Sequence, residues 1–226
     1  MHQTRQPIDG EAWAQLLRDV GAIWWHDGSA ERPHAILTSG LHSNGFMNGD
    51  CFKQFPHMMD WAAHDLVSRL EERGLKLKEV DCVIGPAMGA ITLAHDVARV
   101  IARETGQAVR ATYAEKGESG EDRFVFKRTH VLPGERVLIV EDVITTGGSS
   151  LAVADAVRRS DGVVLPFIGA LVIRHENAKI DGLSIAHLTG FFPHAWEKEE
   201  CPLCRKGSKA IRPKGRAGWN ALTCAP

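Results

Sequence analysis

Between residues 56 and 73 the apolar positions of PHMMDWAAHDLVSRLEER recur at steps of three and four, the spacing of a helix face, and Gly74 closes the run. A similar pattern in EAWAQLLRDVGAIW predicts an amphipathic helix near the N-terminus, followed by a Gly/Ser/Asn-rich stretch around residues 38 to 50. After Gly74 the period changes. VDCVIG is a short apolar run of strand type, AITLAHDVARVIARETG reads as a helix ending at Gly106, and VRATYAE reads as a strand on which FVFKR pairs back across a polar loop. RVLIVED, SLAVADAVRRS, VVLPFIGALVIR and LSIAHL continue as strand, helix, strand, strand. Strands alternating with helices predict parallel βαβ units whose crossovers bury both sheet faces. The expected architecture is therefore one α/β domain over residues 1–226: a doubly wound parallel sheet at roughly 55–190, with a small cap from roughly 1–50 and 190–226.

Composition narrows the function classes. The 226 residues are 44% hydrophobic, enough for one substantial core. A formal net charge of −1 gives no basic excess for nucleic acid, and no apolar run approaches the roughly 20 residues of a membrane span. The N-terminus MHQTRQPIDG lacks the apolar segment of a signal peptide, so a cytoplasmic protein is expected. Five cysteines, an odd number with only Cys201 and Cys204 close together, read as reduced thiols.

The most informative stretch is VLIVEDVITTGGSS, residues 137 to 150, where a hydrophobic strand runs into two carboxylates, two threonines and a glycine pair. In open α/β sheets ligands bind beyond the carboxyl ends of the strands. A helix starting near Ser149 offers unpaired N–H groups and a positive dipole end, while Gly147 and Gly148 let the backbone close around a tetrahedral anion. Thr145, Thr146 and Ser149 add hydroxyl donors. The P-loop lysine is missing, and Glu141 and Asp142 would repel a polyphosphate but suit a sugar's vicinal hydroxyls. A ribose 5-phosphate satisfies both halves.

VLIVEDVITTGGS resembles the phosphoribosyl-pyrophosphate (PRPP) motif of type I phosphoribosyltransferases, in which an acidic pair holds the ribose hydroxyls and the following loop holds the 5-phosphate. Within that group LTSGLHSNGFMN (37–48), VIGPAMGAITLAHDVA (83–98), VIRHE (172–176) and the tail CPLCRKGSKAIRPKGR are similar to segments of the orotate phosphoribosyltransferase family. The resemblance implies a transferase that makes orotidine 5'-monophosphate and pyrophosphate from PRPP and orotate, with Mg2+ arriving mainly through PRPP. It also implies a homodimer whose mobile loop reaches the neighbouring active site.

Residue by residue, the resemblance puts Gly85, Ala87 and Gly89 at the pyrophosphate; as small residues after a strand, they and Ala90 also fit tight helix–strand packing. Arg174 is the candidate grip on the orotate carboxylate, with Ser39 and Thr145 also at the base, while Phe46 suits either stacking on a pyrimidine or filling the cap's core. The catalytic loop is expected at AEKGESGEDRFVFKR (114–128), with Lys116 as the closing cation beside Glu141 and Asp142, and Lys127 and Arg128 in support. Two departures stand out: the loop carries four acidic residues from Glu115 to Asp122, and Thr38 stands where many members have lysine. These keep open a PRPP-binding regulatory protein, or a transferase for another base. Cys201 and Cys204 form a CxxC pair preceded by His194 and followed by Cys224; the irregular spacing favours packing thiols over a structural zinc site built from these four. The other histidines receive no role.

Overall fold

The computed structural model describes residues 8–118, 123–175, 177 and 179–223. The chain divides into two compact units: a larger one from Met1–Ala14 and Lys53–Phe191, and a smaller one from Gln15–Phe52 and Phe192–Pro226.

The larger unit is built on a seven-stranded sheet. Its parallel strands, in spatial order, are Leu183–Gly190, Val163–Ile173, Arg136–Ile144, Cys82–Pro86 and Arg110–Lys116. Short antiparallel strands, Lys179–Ile180 and Phe124–Val125, close the two edges. The order reverses between Cys82–Pro86 and Arg136–Ile144, because the chain first moves outward to Arg110–Lys116 and then crosses back. That reversal is the topological switch point, where the loops leaving two adjacent strands diverge and open a crevice.

Side-chain alternation puts opposite faces of each strand against different helices. Ile84, Ile139 and Ile168 pack with Val153, Ala154 and Val157 of the helix Gly148–Arg159. On the other face the helix Pro56–Glu72 packs against the sheet: a Cβ placed at Gly169 would lie 3.0 Å from Leu66 Cδ2 and 3.3 Å from Val140 Cγ1, so glycine permits the close approach. The helix Ile91–Thr105 ends as its sequence predicts, with Gly106 in the left-handed conformation (φ 72°) returning its N–H to Ala102 O.

In the smaller unit a four-stranded sheet runs in the order Ala195–Trp196, His42–Ser43, His34–Ile36 and Ala210–Ile211, so both chain segments contribute. A separate strand pair joins Ile23–Trp25 to Gly45–Met47. The stretch around 38 to 50 thus contains strands, and the N-terminal helix is shorter than expected, Gly10–Asp19, because Gly21 (φ 70°) breaks it ahead of Ile23–Trp25. Trp24, Ala35, Trp219 and Leu222 form the small core here. Among the described residues no helix is long and apolar enough to cross a membrane.

Candidate active site

The strand Arg136–Ile144 continues past the acidic pair, so Glu141 and Asp142 lie within it rather than at its end. Adjacent strand residues face opposite ways, and this splits the pair. The two carboxylates therefore meet different surroundings. Glu141 is buried, 7% exposed, and points to the helix Gly148–Arg159, where Ser150 Oγ–H donates to its Oε2. Burial pushes its carboxyl up to about 7, with Asp142 adding to the rise and the Ser150 and Ser149 hydroxyls and the Ser150 N–H opposing it.

Asp142 faces the other side of the sheet. Lys53 Nζ donates to its Oδ2 at 2.8 Å and to Gly89 O at 2.9 Å, and Val143 N–H donates to Oδ1 at 2.9 Å. The ion pair is largely sheltered, with side chains 10% and 22% exposed. Its neighbour across the switch point is the loop after Cys82–Pro86. A Cβ at Gly89 would lie 2.6 Å from Asp142 Oδ2, so only glycine lets the loop pass the carboxylate. At Gly85 a Cβ would meet Ala90 O at 2.7 Å, so glycine there also permits tight strand–helix packing. Ala87 N–H donates to Ala114 O at 2.8 Å, pinning the loop's start to the neighbouring strand end.

The predicted phosphate loop follows directly. Thr145 and Thr146 are exposed, Gly147 takes the left-handed conformation (φ 78°), and the helix begins at Gly148. Beside that helix start stands Arg123, whose Nη1 would lie 3.5 Å from a Cβ on Gly148. Lys116, the expected closing cation, is exposed at the end of Arg110–Lys116. Lys127 and Arg128 face the loop's own acids, Glu118 at 3.2 Å and Glu115 at 3.7 Å. The residues 119–122 of the loop lie outside the described residues.

Arg174 sits beside the same loop, its N–H donating to Ile144 O at 2.8 Å. Its guanidinium carbon lies 5.8 Å from the Phe191 ring centroid, and its buried Nε has no hydrogen-bond partner among the described residues. A partly buried guanidinium with one buried, unanswered N–H is a ready receptor for a carboxylate. Ser39 and Phe46 belong to the smaller unit. Ser39 Oγ accepts from Leu41 N–H at 3.4 Å, and Phe46, partly buried, packs with Trp219 at 5.9 Å between ring centroids against the small core.

Two sets of residues escaped the sequence reading. Lys53 lies 89 positions from Asp142, and nothing in CFKQFP marks it. The second set is His34 and His42, which lie with Cys201 and Cys204 in one cluster; the ligand atoms of all four are within 4.8 Å of one another. His194, placed with the cysteines on sequence grounds, instead stacks on Trp196, and Cys224 lies outside the described residues.

A buried acid within a strand, a sheltered Asp–Lys pair at the switch point and a hydroxyl- and glycine-rich turn into a helix define a phosphoribosyltransferase of type I. The phosphoribosyl transferase domain model matches residues 62–168. An orotate phosphoribosyltransferase of Pelotomaculum thermopropionicum is 36% identical over 89% of this chain and 99% of its own length. That of Caldanaerobacter subterraneus is 37% identical over 81% and 89%. The chain belongs to the orotate phosphoribosyltransferase family. Among solved structures, orotate phosphoribosyltransferase from Aeropyrum pernix shares the fold, with a TM-score of 0.55 and 23% identity over 79% of this chain and 93% of that one.

Proposed function

We propose that this chain transfers the phosphoribosyl group of PRPP to orotate, giving orotidine 5'-monophosphate and pyrophosphate. The observation that carries the reading is Asp142, a sheltered carboxylate fixed by Lys53 at the switch point immediately before the turn Thr145–Ser149. In this reading the helix start at Gly148 and Ser149 receives the 5-phosphate with Arg123 beside it. Asp142 accepts from ribose hydroxyls, the amides of the Gly85–Gly89 loop face pyrophosphate, and Arg174 takes the orotate carboxylate. The anomeric C–O bond to pyrophosphate breaks, its electron pair leaving with pyrophosphate, while a ring nitrogen of orotate forms the new bond and gives up its proton to solvent or to the departing pyrophosphate. Positive charge builds on the ribose as in glycoside cleavage, and the fixed carboxylate of Asp142 favours it.

Magnesium fits as a companion of PRPP. Glu141 and Asp142 face opposite sides of the strand and form no cage, which suits an ion held mainly by substrate oxygens and one carboxylate. Its contribution when bound is to neutralise the departing pyrophosphate. A two-fold dimer, with Lys116 and its loop serving the neighbour's site, and a cytoplasmic location complete the proposal.

The acidic loop supports one other reading. Glu118 and Glu115 occupy Lys127 and Arg128, the cations that would otherwise meet pyrophosphate, as expected of a PRPP-binding regulator without turnover. Incubation with PRPP, magnesium and orotate separates the two. Equal yields of orotidine 5'-monophosphate and pyrophosphate establish the transferase. Saturable PRPP binding with no product from orotate refutes it.

A further inference from the structure

We infer that His34, His42, Cys201 and Cys204 hold a structural zinc ion in the smaller unit. The four ligand atoms are already gathered. His34 Nε2 lies 2.9 Å from His42 Nδ1, 3.5 Å from Cys204 Sγ and 3.6 Å from Cys201 Sγ, while Cys204 Sγ lies 3.2 Å from His42 Nδ1. A tetrahedron with Zn–N and Zn–S bonds of about 2.0 to 2.3 Å has edges of roughly 3.3 to 3.8 Å, so small outward shifts complete the site. His34, His42 and Cys201 are buried and Cys204 is half-buried, as in closed structural sites rather than open catalytic ones.

The surrounding hydrogen bonds set the His34 tautomer. Gly28 N–H donates to His26 Nδ1 at 2.8 Å, which leaves His26 Nε2 to donate to Arg32 O at 3.0 Å. Ser208 Oγ–H also donates to Arg32 O, at 2.6 Å, so the hydroxyl oxygen is free to accept from His34 Nδ1 at 2.8 Å. With its proton on Nδ1, His34 directs the Nε2 lone pair into the cluster. A ligand histidine anchored through its other nitrogen is the usual second layer of a metal site.

The architecture also calls for such a tie. His34 and His42 begin the two strands of a hairpin, while Cys201 is the N-cap of the short helix Pro202–Arg205 and Cys204 lies within it, in the distant C-terminal segment. The small unit has only a modest apolar core, and units below about 70 to 80 residues commonly need a staple. On binding, both thiols lose their protons to solvent, and two thiolates neutralise the dication, so the buried site carries no net charge.

The inference is independent of the acceptor base. Metal analysis of the full chain, purified without chelator, should give about one zinc per chain. The stripped, reduced chain should take up cobalt with tetrahedral d–d bands and thiolate-to-metal charge transfer. Cys204→Ser and His42→Gln should lose that stoichiometry, His194→Ala should keep it, and Ser208→Ala should keep it with affinity about 10- to 100-fold weaker. Full stoichiometry in Cys204→Ser overturns the site. If that variant does not fold, the unmutated chain decides: no zinc after growth in zinc and no tetrahedral cobalt spectrum, or a Cys201–Cys204 disulfide persisting under reductant, overturns it equally.

Discussion

Replacing Glu141 with glutamine should stabilise the protein above neutral pH and leave it nearly unchanged in acid. Glu141 is 7% exposed and its carboxyl sits at about 7 in the fold against an ordinary 4.5. Below about pH 4.5 both folded and unfolded chains carry the proton, so the site contributes no pH dependence. Between the two values the unfolded chain gives up its proton while the folded one keeps it. The folded state then binds more protons, and stability falls as pH rises. Above about pH 7 the loss is complete, and a gap of 2.5 units corresponds to about 3 kcal/mol. Glutamine fills the same space, accepts the Ser150 hydroxyl through its carbonyl and cannot ionise. The stability difference between variant and parent should therefore grow by about 3 kcal/mol from acid to alkaline pH, or roughly 6 to 12 °C in Tm for a chain of this size. Paired thermal melts from about pH 5 to about pH 8 measure it, and other titrating groups cancel in the difference. A difference that stays constant across that range would refute the account of Glu141 as a desolvated acid.

Asp142→Asn should lower kcat/KM about 10- to 100-fold with the fold intact by circular dichroism, because a charge-assisted contact worth about 1.5 to 3 kcal/mol is lost. Gly89→Ala should give a loss of the same order, since the new methyl displaces the Asp142 carboxylate; an unchanged rate would show that this close approach is not needed for activity. Arg123→Ala should raise KM for PRPP more than it changes kcat. Lys116→Ala should lower kcat about 10²- to 10³-fold with little change in KM if its charge acts on the transition state. Steady-state kinetics with PRPP varied at saturating orotate distinguishes the two.

Strand and helix periods gave the core of the sheet almost complete, from Cys82–Pro86 to Leu183–Gly190, because buried parallel strands and amphipathic helices write strong periods. The split of Glu141 from Asp142 was missed, because the strand was expected to end at the pair. Val143 and Ile144 continue the strand, and alternation then forbids adjacent side chains a common face. Lys53 was not legible, for its partnership with Asp142 depends on where the helix Pro56–Glu72 enters the fold. His34 and His42 likewise stand eight positions apart in sequence and meet only through hairpin pairing of Ala35 with Ser43 and Ile36 with His42. No local spacing encodes that pairing, and the CxxC pair therefore drew attention to His194 in its place.

The two-segment build of the smaller unit has a consequence for how the chain matures. Its hairpin is made before the larger sheet, yet the strands that flank it, Ala210–Ile211 on one side and Ala195–Trp196 on the other, come after that whole sheet. His34 waits for Ser208 through 174 residues of synthesis, on the order of 10 to 35 s at the usual elongation rates. During that interval both hairpin edges are unpaired while the strands of the larger sheet, Cys82–Pro86 to Leu183–Gly190, are being made. Closure of the segment after Phe191 onto the hairpin therefore follows synthesis of the larger sheet, and the hairpin's sticky edges are sealed only then.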